Sequence, residues 1–109
     1  MTYAAEKHSA DLVGGVLTDV TAGGVTVGGA YLIAVCNRAS TPTTIRVAIT
    51  TTGTTPLAAD WIAYDIPLGA NNIDGGIVRE WPVPLALNWR VYMQSGASNV
   101  SATVIGATS

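Results

Sequence analysis

A chain of 109 residues with five basic and seven acidic side chains has a formal net charge of −2 and only 11% charged residues, against roughly 25% in ordinary soluble domains. That length supports one hydrophobic core, and charge this thin, with no basic run, excludes a phosphate-binding surface as the main business of the protein. The 49% apolar content is no membrane signal, because the apolar run ending at Cys36 falls far short of the ~20 residues a spanning helix needs. Met1–His8 shows no basic stretch followed by an apolar one, so no secretory signal is expected. A single cysteine excludes an internal disulfide and a cysteine-based zinc site. Together these features predict assembly in a reducing cytoplasm.

Residue choice points to β structure. Fourteen threonines and twelve valines, many in alternation, stand beside a complete absence of Phe, and β-branched side chains suit a pleated, half-buried surface. In chain order, Met1–Asp11 carries Glu6, Lys7, His8 and Asp11 without a strand pattern. It is expected to be a flexible arm, with Ala4–Ala10 too short for a stable helix. Residues 12–109 then form a single domain.

Alternation predicts strands at Leu12–Val20, Val25–Val27, Tyr31–Asn37, Thr44–Thr51, Asp60–Ile66, Ile77–Trp81, Trp89–Gln94 and Val100–Ile105. Turn residues fill the gaps: Ala39–Pro42, Thr52–Pro56, the Asp74-Gly75 hairpin signal, and Ser95–Ser98. Pro82 and Pro84 are placed at a strand end, since proline cannot donate to a ladder. Seven or eight short strands at this spacing predict an all-β fold, either an antiparallel β-sandwich or a jelly-roll-like small barrel.

Residues for chemistry are scarce. General acid–base catalysis needs positioned titratable groups, yet His8 is the only histidine and is read as a solvated arm residue. No Gly-x-Ser-x-Gly elbow is present. The pairs Gly23-Gly24 and Gly28-Gly29 lack the Gly-Lys-Ser/Thr of a phosphate loop and read as bends. Asp60, Asp65 and Asp74 fit no calcium-loop spacing. Cys36, in an apolar strand, reads as a small hydrophobe. Catalytic, cofactor and metal residues are therefore expected to be absent.

Interface residues are the better candidates. Strand Tyr31–Cys36 is apolar on both faces, with Tyr31, Ile33 and Val35 on one side and Leu32, Ala34 and Cys36 on the other. One face should pack in the core, and the other needs either a second layer within the chain or another molecule. Trp61, Trp81 and Trp89 lie at strand positions where packing is the default and a sugar-stacking platform the alternative. Arg46, Arg79 and Arg90 are mid-strand cations expected to pair with Asp65 or Glu80 or to sit at an edge. The interface candidates are thus Tyr31, Ile33, Val35, Arg46, Trp61, Arg79, Trp81, Trp89 and Arg90.

Several stretches carry a resemblance: Val35-Cys36-Asn37-Arg38, Thr43–Ile49, Trp61-Ile62-Ala63-Tyr64-Asp65-Ile66-Pro67-Leu68, Trp89-Arg90-Val91-Tyr92 and Asn99-Val100-Ser101-Ala102. Over residues 25–106 the chain resembles small β-rich structural proteins of tailed bacteriophages and prophages. The resemblance implies a virion component without enzymatic activity or cofactor, most naturally a capsid decoration (cement) protein, with a tail-associated adaptor as the alternative. It implies self-association, by analogy as a trimer, and contact with the major capsid protein or other virion proteins, without nucleic acid or membrane. A receptor- or glycan-binding module is the alternative from another class, and it requires exposed tryptophans.

Overall fold

The computed structural model describes residues 6–51, 55–70 and 78–107. Eight strands occupy them: β1 (Lys7–Leu12), β2 (Thr18–Asp19), β3 (Gly29–Asn37), β4 (Thr43–Thr50), β5 (Trp61–Leu68), β6 (Val78–Leu85), β7 (Arg90–Ser95) and β8 (Val100–Ala107), with one 3₁₀ turn at Ala58–Asp60. They form two four-stranded sheets, β1-β8-β3-β6 and β2-β7-β4-β5, here called sheets A and B. Every pairing is antiparallel, and β1 pairs with β8, β2 with β7, β3 with β6 and β4 with β5. This is the order obtained by folding an eight-strand chain in half at the β4–β5 connection and rolling the resulting ribbon. The protein is a β-sandwich with jelly-roll strand order.

The core lies between the sheets and follows the period of two. Sheet A contributes Leu12, Tyr31, Ile33, Val35, Leu85, Val100, Ala102 and Val104, and sheet B contributes Ile45, Val47, Ala63, Leu68, Val91 and Met93, all buried. Val25 and Val20 close one end from loops and are equally buried. Trp81, Val83 and Trp89 pack against this cluster while remaining half-buried.

Several expectations need correction. The arm is not free from Lys7 onward, since Lys7–Leu12 pairs residue for residue with β8, from Lys7 opposite Ile105 to Leu12 opposite Val100. It escaped notice because an edge strand carries charge on its outer face, here Lys7 and Asp11, and has little apolar alternation. Leu12–Val20 is not one strand: Gly14 and Gly15 turn the chain and leave only Thr18–Asp19 extended. Val25–Val27 is a loop.

Pro82 and Pro84 lie inside β6 rather than at its end. Two residues apart, they place both missing N–H groups on the same side of β6, an edge strand with β3 on one side only, which is where a sheet tolerates proline. Ser95–Ser98 links β7 in sheet B to β8 in sheet A, so it is a crossing between layers and not a hairpin. The expected Asp74-Gly75 hairpin lies outside the described residues, as does most of the turn at Thr52–Pro56.

Candidate functional site

The two outer faces are the surfaces available for function, and strand register sets their composition. On sheet A the buried apolar side chains of β3 are Tyr31, Ile33 and Val35. These three interface candidates are therefore interior, and the free face of the two-faced strand carries Leu32, Ala34 and Cys36, all half-buried. Alternation alone could not choose between two apolar faces.

Register extends this face across the sheet in rows: Lys7, Ile105, Leu32, Pro82; then Ser9, Thr103, Ala34, Glu80; then Asp11, Ser101, Cys36. The middle two strands present only apolar and small hydroxyl side chains. Charge is confined to the rims, with Lys7 and Asp11 on β1 and Glu80 on β6. Asp11 is further tied to Arg38 by an ion pair. No third layer covers the face among the described residues.

The outer face of sheet B is built differently. Arg46 on β4 forks Asp65 on β5, with Nε to Oδ1 at 2.7 Å and Nη2 to Oδ2 at 3.2 Å. Its guanidinium carbon stands 4.1 Å from the centroid of the Tyr64 ring, a cation–π contact. Trp61 meets Tyr64 edge to face, with centroids 5.5 Å apart and planes at 81°. The hydrogen bond from Arg46 holds the Asp65 carboxyl below the usual carboxylate range, and the same bond raises the guanidinium.

The sequence allows this because the β4–β5 ladder is bulged between Ile45 and Ala48, and Asp65 sits at φ +53° in the strand interior. Bulges of this kind re-aim a side chain. Arg90, expected beside Asp65 or Glu80, instead lies 3.7 Å from Asp19, the β2 residue paired with Tyr92. Arg79 is exposed at the sheet edge and donates to the Pro67 carbonyl of the other sheet at 3.4 Å.

A third cluster was illegible in sequence. Glu6, just before β1, accepts from the Thr26 N–H and hydroxyl at 3.0 Å each, from the Val27 N–H at 3.1 Å and from the Tyr31 hydroxyl at 3.1 Å. His8 Nε2 lies 2.5 Å from its other oxygen. A carboxylate only accepts, so that nitrogen carries the proton. Burial opposes ionisation of Glu6, but the bonds from His8, Thr26 and Tyr31 outweigh it and pull the carboxyl down to about 2. Burial and then Glu6 push the Tyr31 phenol up to about 12.

His8 is therefore half-buried in a structural clasp rather than solvated in an arm. Apart from His8, two residues on, the donors lie twenty to twenty-five residues away along the chain, and no local motif joins them to Glu6. Gly24, at φ +111°, completes the adjoining loop: a Cβ there would stand 2.6 Å from the Asn88 carbonyl oxygen, so the position requires glycine.

Among the described residues no three His, Cys, Asp or Glu side chains stand together as metal ligands. Asp60 lies in the 3₁₀ turn and caps its own backbone at Leu57, while Asp65 is engaged by Arg46. Trp81 and Trp89 pack on the core, and Trp61 stands beside Tyr64, which is 54% exposed. No helix of the described residues is long and apolar enough to cross a membrane. Compared with known protein families, curated proteins and solved structures, the chain matches none.

Proposed function

We propose that this protein is a structural virion component of a tailed bacteriophage, a capsid decoration (cement) subunit that stabilises the head lattice through subunit contacts. The observation that carries the reading is the outer face of sheet A: two central strands present an apolar and small-residue surface, and every charge lies at the rim. Such a face can be covered by another protein without desolvating a charge. Jelly-roll strand order supports the reading by analogy, since viral capsid domains use it repeatedly. In this reading the partners are further copies of the chain, as a trimer, and the major capsid protein. The location is the virion, assembled in the host cytoplasm.

Copy number in purified particles tests it. Quantitative mass spectrometry of the phage encoding the chain should find it at close to the abundance of the major capsid protein. Small multiples of three or six would replace the head assignment with a tail one. Absence from particles would remove the reading.

A further inference from the structure

Sheet A carries a second candidate surface, and it is an edge rather than a face. The Gly106 N–H donates to the Glu6 carbonyl at 2.7 Å, and these two residues stand opposite each other when the β1–β8 register is continued by one step. In an antiparallel ladder such bonded positions alternate with positions whose backbone groups point away. His8, Ala10 and Leu12 therefore bond to β8, whereas the N–H and C=O groups of Lys7, Ser9 and Asp11 point outward from the edge. The side chains of the same three residues are exposed. Among the described residues no backbone group outside β8 bonds to β1.

The other edges are closed to pairing. Carried across β8, the same alternation gives Leu32 to β8 and Ile33 to Trp81 of β6, so that Pro82 and Pro84 face outward without an N–H to give. β5 is interrupted by its bulge and contains Pro67, and β2 is two residues long. β1 has neither a proline nor a register shift.

A lysine on an edge strand ordinarily discourages pairing, but here Asp11 lies four residues on with Ser9 midway. That order of positive, neutral and negative is complementary to itself under a two-fold axis through Ser9. Lys7 then stands opposite Asp11 of a second copy and Ser9 opposite Ser9, and every outward N–H and C=O of the three residues is paired. An axis through Lys7 or Asp11 would set like charges directly opposite, which is destabilising. An axis through His8 or Ala10 would pair fewer of the outward groups. On the strand's other face, the Ser9 axis sets His8 against the small Ala10. The bond from Arg38 takes Oδ1 of Asp11, and this carboxylate, 73% exposed, has a second oxygen for the lysine.

We propose that β1 pairs with β1 of a second copy, antiparallel and centred on Ser9, so that two four-stranded sheets A join edge to edge. The partner is the chain itself, recognised by the outward backbone groups and by the charge order of Lys7 and Asp11. The contact uses no side chain of the middle strands, whose outer face stays open to other partners. It goes beyond the virion reading, and its failure leaves the copy-number experiment unaffected.

Hydrogen exchange of the ¹⁵N-labelled full chain, followed by NMR at about 0.05 mM and about 1 mM protein, reads the edge directly. With a dissociation constant of ~0.1 mM, as suits a small contact, the amides of Lys7, Ser9 and Asp11 should exchange ~3-fold more slowly at the higher concentration. Those of His8 and Ala10, already bonded to β8, should not change. Lys7→Asp and Asp11→Lys, each with unchanged circular dichroism, should weaken pairing ~10-fold or more by setting like charges opposite. An equimolar mixture of the two variants should restore the protection, because the acidic edge of one meets the basic edge of the other. Leu32→Lys, on the outer face, should leave it in place. The parent's concentration dependence decides by itself if a variant fails to fold. Three results would overturn the proposal: exchange at the three amides that is independent of concentration, protection that persists in both single variants, or a mixture that stays unprotected.

Discussion

The outer faces of the two sheets obey the same alternation and yet present opposite surfaces. On sheet A the outward positions of β3 hold Leu32, Ala34 and Cys36, and charge is pushed to the rims at Lys7, Asp11 and Glu80. On sheet B the outward positions of β4 and β5 hold Arg46 and Asp65 as a bidentate pair under Tyr64. Covering sheet A removes apolar area from water and leaves charged groups at the margin, which is how protein interfaces are organised. Covering sheet B would bury an ion pair, which costs desolvation unless the partner supplies hydrogen bonds. One face therefore suits another protein, and the other resists being covered by one.

The largest effect should come from comparing adjacent residues of β3. Ile33→Ala, in the core, is expected to cost about 2–4 kcal/mol in urea denaturation. Leu32→Ala, its neighbour on the outer face, should cost less than about 1 kcal/mol. Equal losses would show that the outer face is already packed in the isolated chain.

Next comes the clasp that holds β1, and with it the charged rim of sheet A. Glu6→Gln should cost about 1.5–3 kcal/mol, the range for hydrogen bonds to a charged group. The Glu6 carboxyl is held at about 2 against an ordinary 4.5, so its ionised form favours the folded state. That stabilisation is present in full above pH 4.5 and is lost as pH falls through the window toward 2. Acid titration of stability should accordingly be flatter for Glu6→Gln than for the parent across this window. Identical acid profiles would mean that the clasp contributes nothing.

Leu32→Lys should weaken the proposed self-association by ~10-fold or more in sedimentation experiments, while altering stability by no more than about 1 kcal/mol. Tyr64→Lys on sheet B should leave association unchanged. The reverse result would exchange the roles of the two faces.

The smallest effect concerns Thr50, whose hydroxyl is buried and makes no hydrogen bond among the described residues. Thr50→Val keeps the shape and removes an unsatisfied group, so stability should be unchanged or rise by up to about 1 kcal/mol. A clear loss would reveal a partner for that oxygen.

Much of the fold was legible in the sequence. Thr44–Thr51 alternates Ile45, Val47 and Ile49 with polar neighbours, and β4 follows with those residues inward. Trp89–Gln94 and Val100–Ile105 behave alike and become β7 and β8. Asp65 stood with Glu80 among the partners expected for the strand arginines, and only the fold assigned it to Arg46. Asp19 as the partner of Arg90 was not, since β2 is two residues long and carries no pattern. Glu6 gave no signal either, since all of its hydrogen-bond donors but His8 lie in a loop and a strand far along the chain.

The sequence by itself determined the all-β class, most strand positions and the scarcity of charge, because a period of two is a local property written residue by residue. The tertiary structure alone decided that Lys7–Leu12 is a strand, that Leu32 and not Ile33 faces outward, and that Glu6 is held by Thr26, Val27 and Tyr31. The reason is pairing distance. An edge strand exists only when a partner such as β8 arrives from the other end of the chain, and an outer face is defined only once the opposing sheet has covered the inner one.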